Sequence, residues 1–195
     1  MASTPAILLD DVVLARTACN SRPLNLRLAA SEKLLLLGSN GCGKTTLAES
    51  ICRHLLVADG QIQVADEVGY CPQRLMLPGQ LKVSAFLQQL QTLCPHTLRF
   101  DTEACIKLFG LDEYANSKIS SLSRGWQQRV NLAQAWLGSP DLIILDEPQT
   151  ALDPDGLDLL RDAIDNSNCA VLVVAPPNIG CEALLNNHVN FDELC

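Results

Sequence analysis

A continuous apolar run, Lys33-Leu34-Leu35-Leu36-Leu37, stops abruptly at Gly38 and gives way to Ser39-Asn40-Gly41-Cys42-Gly43-Lys44-Thr45-Thr46. An unbroken apolar segment of this kind reads as a strand covered on both faces, which calls for a parallel sheet flanked by helices. Gly38, Gly41 and Gly43 free the backbone to curl so that successive N–H groups point inward at an anion. A helix opening at Lys44 adds the positive end of its dipole. The segment Gly38–Thr46 matches G-x-x-x-x-G-K-[ST] in full, between a strand and a helix as that motif requires. Its residues, including the small Cys42, are expected to cradle phosphates. Lys44 is expected to reach the β- and γ-phosphates, and the Thr45 hydroxyl to meet Mg²⁺.

A second apolar run, Leu142-Ile143-Ile144-Leu145, ends in Asp146-Glu147-Pro148. Acids at the carboxyl end of a buried parallel strand stand where α/β sheets bind ligands. Asp146 is expected to hold Mg²⁺, directly or through water, and Glu147 to polarise an attacking water.

Between these anchors, strands are expected at Ile7–Leu14, Leu24–Leu28, Gln61–Val64, Val68–Cys71 and Ala170–Val174. Helices are expected at Lys44–Leu56, Val83–Leu93, Thr102–Phe109, Trp126–Leu137 and Gly156–Asn166, with a short stretch near Tyr114. The breaks at Pro78-Gly79, Pro95 and Gly110 mark a helical insertion at about 74–121 in an α/β frame of about 1–73 and 122–195. Strands alternating with helices predict a mainly parallel sheet beside a small β subdomain.

With 195 residues the chain suffices for a single such domain. A formal charge of -8 argues against a nucleic-acid binder working through basic patches. Nine irregularly spaced cysteines without a C-x-x-C pair, and three scattered histidines, argue for reduced thiols rather than a zinc site. The N-terminus lacks the basic start of a signal peptide, and no apolar stretch reaches membrane-spanning length. A cytoplasmic location follows as the expectation; work at a membrane would need a partner with spanning helices.

Leu122-Ser123-Arg124-Gly125-Trp126-Gln127-Gln128-Arg129 resembles the L-S-G-G-Q signature of ATP-binding cassettes, the ABC ATPases, and precedes Asp146-Glu147 by the interval usual in that family. The resemblance covers nearly the whole chain and implies the P-loop NTPase fold, ATP and Mg²⁺ as ligands, and ATP hydrolysis. It implies that Ser123 and the Gly125 N–H contact a γ-phosphate held by a second cassette, in a homodimer or heterodimer. Gln73, in Gly69-Tyr-Cys-Pro-Gln73, resembles the glutamine that senses Mg²⁺ and water and relays that state to an integral-membrane permease; a plain surface turn is the other reading. Asp153, in Ala151-Leu-Asp153, resembles the aspartate that couples paired sites, although Asp153-Pro154 also reads as a helix start.

The chain departs from that pattern in places. Arg124 and Trp126 replace signature residues, and Gln127 is expected to take over part of the role that Trp126 leaves. Ile7–Asn25 has no aromatic residue or histidine to stack on adenine, which leaves Arg16 or Arg22 as stacking candidates, and GTP fits the same pattern. Pro176 stands where such cassettes place a histidine that contacts the γ-phosphate, and His188 reads as a surface residue rather than its replacement. Slow hydrolysis is the expectation.

The short interval from Lys44 to Gln73 and Gly69–Arg74 resemble zinc-uptake cassettes. The segment from Trp136-Leu137 through Asp146-Glu147-Pro148 to Leu152–Gly156 resembles instead the small cassettes of haem export and cytochrome c maturation, which length favours. A regulatory cassette with little hydrolysis, or a non-transport ABC ATPase, are the alternatives; a P-loop nucleotide kinase would lack Leu122–Arg129.

Overall fold

The computed structural model describes residues 4–15, 22–94, 99–177, 185 and 187–194. Arg16, one of the stacking candidates, lies outside them. The apolar runs form the centre of a five-stranded sheet. Its strands are β3 (Lys33–Leu37), β5 (Val68–Cys71), β6 (Leu142–Asp146), β7 (Ala170–Ala175) and β8 (His188–Asn190). They lie in the order β5-β6-β7-β3-β8, every neighbouring pair parallel. A second sheet is antiparallel, ordered β2-β1-β4, with β1 at Ile7–Leu14, β2 at Leu24–Leu28 and β4 at Val57–Val64.

Side chains on a strand alternate between faces, and the core divides accordingly. Leu35, Leu37, Ile143, Leu145, Val171 and Val173 face one layer, which contains α2 (Val83–Gln91), α3 (Thr102–Leu108), α4 (Arg124–Trp136) and α5 (Pro154–Asp165). Leu34, Leu36, Leu142, Ile144, Leu172 and Val174 face the other, with α1 (Lys44–Ile51) and the antiparallel sheet. Each fully buried Leu, Ile or Val contributes about 1.5–3 kcal/mol, so this alternation is what fixes the strand register. Aromatic residues are few, and the largest buried one, Trp136, packs edge-on against Phe109 at 5.2 Å.

The parallel arrangement brings four carboxyl strand ends to one rim. β3 leads into Gly38–Thr46, β5 into Pro72-Gln73, β6 into Glu147 and β7 into Pro176. That rim is where open α/β sheets place their ligands.

Several boundaries differ from expectation. α1 ends at Ile51 because Arg53 takes a left-handed φ of 62°, which breaks the helix before the apolar pair Leu55-Leu56. β4 begins at Val57, not Gln61, since Gly60 (φ 84°) forms an irregularity opposite Asp11 (φ 49°) rather than a turn. A Cβ on Gly60 would overlap the Asp11 carbonyl oxygen. α4 and α5 each start two residues earlier than expected, capped by the Ser123 and Asp153 side chains. The edge strand β8 was not expected at all.

Candidate functional site

The cradle is built as its glycines require. Gly41 (φ 81°) and Gly43 (φ 116°) take left-handed backbone conformations, the second as the N-cap of α1. Gly38 is needed for space, because a Cβ there would lie 2.8 Å from Cys42 Sγ and 2.9 Å from Phe191 Cβ. The Gly38 N–H donates to the Ala175 carbonyl at 3.2 Å, which ties the start of the loop to the end of β7. Lys44 is nearly buried, and its Nζ donates to the carbonyls of Gly38 at 2.6 Å and Ser39 at 2.9 Å.

Asp146 lies beneath this loop, fully buried, with neither carboxylate oxygen in a hydrogen bond of full geometry. Burial pushes its pKa from 3.8 up to about 6; the nearby Thr45 hydroxyl and, further off, Lys44 oppose that rise, while Glu147 and Glu49 add to it. A buried, unsatisfied carboxylate beside a threonine hydroxyl is an arrangement that a hard divalent cation completes. Glu147 follows with a left-handed φ of 49°, its N–H held by the Val174 carbonyl at 2.9 Å. Such a conformation costs of order 1–3 kcal/mol for a residue other than glycine, and it persists where the surroundings impose it.

The structure brings most of the expected residues together. Asn40, Gly41, Gly43, Lys44, Thr45, Thr46, Gln73 and Glu147 line one cleft of about 300 Å³. Gln73 and Glu147 also border a larger adjoining cleft of about 830 Å³, with Arg74, Arg124, Gln127 and Thr150 on its walls. Ser123, Gly125 and Asp153 line neither cleft. Pro176 is buried and directly follows β7, the strand between the Gly38 and Glu147 strands. His188 is exposed on edge strand β8, level with Leu35 and so below the loop. Arg22 is exposed ahead of β2.

Ser123 caps α4 by accepting from the Trp126 N–H at 3.4 Å. Gly125 has a packing requirement of its own: a Cβ there would lie 2.8 Å from the Ala151 carbonyl oxygen. Asp153 caps α5 through the Gly156 N–H at 2.9 Å and accepts from Arg129 Nη2 at 2.6 Å. Arg129, itself nearly buried, holds the Asp153 carboxyl below its ordinary pKa.

Trp126, a departure in the sequence, has a physical reason in the structure. Its ring stands 4.3 Å from that of Tyr114, and the Arg129 guanidinium lies 4.4 Å from its centroid. Trp126 thus steadies the arginine that reaches Asp153, a contact of about 0.5–2 kcal/mol. Gln127, expected to take over part of the role that Trp126 leaves, lines the larger cleft and also braces its own chain. Its amide nitrogen donates to the Ile119 and Leu122 carbonyls at 3.1 and 3.2 Å, which holds the turn ahead of Ser123.

Sequence reasoning missed the buried amides of α4. Buried Gln128 and Asn131, with half-buried Gln134, fall on one helix face, where an ordinary amphipathic helix would be apolar. That misplaced polarity was the available signal.

The sequence profile of the family described as ABC transporter matches residues 21–150. The chain belongs to the ABC transporter ATP-binding family. The cassette is 37% identical over 158 residues to the zinc import ATP-binding protein ZnuC of Chromohalobacter salexigens, across 78% of this chain and 65% of ZnuC. It is 30% identical over 186 residues to YhaQ, an uncharacterized ABC transporter ATP-binding protein of Bacillus subtilis, across 88% of this chain and 59% of YhaQ. The cassette therefore spans less than two thirds of either relative. Among solved structures, the dimeric cassette MJ0796 superposes with a TM-score of 0.79 at 21% identity, over 95% of this chain and 94% of that one. That likeness is one of fold.

Among the described residues, no helix is long and apolar enough to cross a membrane. None of them form a group of three or more His, Cys, Asp or Glu that could hold a metal on its own. Burial pushes the Cys52 and Cys105 thiols up to about 12, and Cys71 and Cys169 upward as well, which keeps them neutral and unreactive.

Proposed function

We propose that this cassette binds MgATP and hydrolyses it slowly, as the nucleotide-binding subunit of a transporter whose permease is a separate membrane protein. The observation that carries this reading is the convergence of Lys44, Thr45, Gln73 and Glu147 on one cleft, with the unsatisfied Asp146 carboxylate beneath it. The loop N–H groups from Gly38 to Thr46 and the start of α1 orient the phosphates. Lys44 exchanges its two loop carbonyls for the β- and γ-phosphate oxygens. Glu147, on the wall of the same cleft, accepts a proton from the water that attacks the γ-phosphorus as the bond to the bridging oxygen breaks. Thr45, Asp146 and Gln73 would hold Mg²⁺, which supplies charge neutralisation on the phosphate oxygens when bound.

Ser123, Gly125 and Asp153 lie outside both clefts that Gln73 and Glu147 line, and this supports a composite site completed by a second cassette. The dimeric form of MJ0796 supports the same arrangement. The helical stretch at about 74–121, which begins beside Gln73, is the face we assign to the permease. The likeness to ZnuC supports a metal importer over the haem-related cassettes that length suggested. The protein would then sit at the cytoplasmic side of the membrane, peripheral to its permease.

A second reading, a regulatory cassette with little turnover, is favoured by Pro176. A buried proline ring offers no donor at the position beside both the loop and Glu147. Losing one such contact costs roughly 3 kcal/mol, on the order of a hundredfold in rate. Single-turnover ATP cleavage by the parent and by Glu147→Gln separates the two readings. Cleavage that depends on Glu147 supports the hydrolase, and cleavage absent from both supports the regulatory cassette.

A further inference from the structure

Three amides lie in a row on the buried face of α4. Gln134 Nε2 donates to Asn131 Oδ1 at 2.5 Å, and Asn131 Nδ2 donates to Gln128 Oε1 at 3.3 Å. The row ends on main-chain carbonyls outside the helix. Asn131 Nδ2 donates to the Pro72 carbonyl at 2.9 Å, and Gln128 Nε2 to the Pro148 carbonyl at 2.9 Å. Asn131 Nδ2 also lies 3.2 Å from Cys71 Sγ. Asn131 is 0% exposed and Gln128 4%, so no water competes for these donors.

The two carbonyls are informative by position. Pro72 immediately precedes Gln73, and Pro148 immediately follows Glu147. Both lie just past the ends of their strands, β5 at Cys71 and β6 at Asp146, where the ladder no longer fixes the chain. A buried amide costs free energy unless it is bonded, so this pair specifies where both segments must sit. Direct backbone packing strengthens the link: a Cβ on Gly69 of β5 would overlap the Ala135 carbonyl oxygen of α4. The same helix opens at Ser123 and Gly125.

We infer that Gln128 and Asn131 are positioning residues that join α4, and with it Ser123 and Gly125, to both Gln73 and Glu147. A shift of the helix then moves the residues on either side of the cleft together. This inference rests on the reading of Gln73 and Glu147 as hydrolytic residues given above.

The experiment is single-turnover ATP hydrolysis by the full chain and its Asn131→Ala variant, each alone and combined with Gln73→Ala. The ATP dissociation constant is expected to stay within about twofold while the rate falls roughly tenfold or more. In the Gln73→Ala background that fall should be clearly smaller, because one of the two groups through which Asn131 acts is gone. An equal fall in both backgrounds, or no fall in the parent, overturns the inference. Amide hydrogen exchange on the same proteins reads the link without turnover. Exchange in segments 69–76 and 146–151 should quicken together by roughly tenfold in Asn131→Ala, with β4 unchanged. Unchanged exchange overturns the link, whereas coupled exchange in a chain that hydrolyses nothing upholds it and counts against the proposed hydrolase alone. Should Asn131→Ala fail to fold, Asn131→Ser, which keeps a shorter donor, is carried through the same measurements.

Discussion

Asp146 should make the empty cassette less stable for the sake of its ligand, and Asp146→Asn tests this. Burial raises its carboxyl from 3.8 to about 6. The folded value lies above the unfolded one, so the folded state favours the protonated form. Its stabilising contribution is complete below about pH 4 and disappears as pH rises through about 6. Above that window the charged carboxylate costs up to about 3 kcal/mol relative to its exposed state. A neutral, nearly isosteric asparagine escapes that cost. At pH 7.5 without nucleotide, Asp146→Asn should therefore melt several degrees above the parent, at about 2–4 °C per kcal/mol for a chain of this size. At pH 5 the difference should shrink, and with MgATP it should reverse, because the variant gains little from the ligand. Thermal unfolding at both pH values, with and without MgATP, measures all of this. A variant less stable than the parent at pH 7.5 without nucleotide, or a gain independent of pH, would refute the argument from burial.

The remaining predictions concern the residues around that carboxylate. Pro176→His should raise the single-turnover rate by on the order of a hundredfold if a missing donor limits the site; an unchanged rate would remove that explanation. Gly125→Ala places a Cβ 2.8 Å from the Ala151 carbonyl oxygen. Helix propensity alone would stabilise by up to about 1 kcal/mol, whereas the clash should cost about 1–3 kcal/mol; a lower denaturant midpoint shows that the clash prevails. Asp153→Ala removes the cap of α5 and the carboxylate partner of nearly buried Arg129. It should cost about 1–3 kcal/mol by chemical denaturation. Asp153→Asn, which keeps the cap, should cost less.

What could be read from the residues alone follows how local each cause is. The loop at Gly38–Thr46 and the acids after Leu145 were legible because strand, glycine spacing and helix start are set by adjacent residues. The central strands were legible because burial on both faces demands unbroken apolar runs. Gly60 was misleading: the same glycine signal serves a turn or an irregularity, and the choice depends on Asp11 in another strand. Leu55-Leu56 continued a helical pattern that Arg53 had already broken. β8 was invisible because its pairing with β3 uses main-chain atoms, while His188 and Asn190 carry polar side chains. The stack on Trp126 needs Tyr114, and the amides of α4 need Pro72 and Pro148. Those partners are distant in sequence, and only the fold brings them near.

The central claim is that Glu147, in the same cleft as Lys44, carries hydrolysis of a nucleotide bound by the loop. Single-turnover cleavage of ATP by the parent and by Glu147→Gln tests it most directly. The account predicts slow but measurable cleavage by the parent, reduced by roughly a hundredfold or more in the variant while ATP stays bound. Equal rates in the two proteins would contradict it.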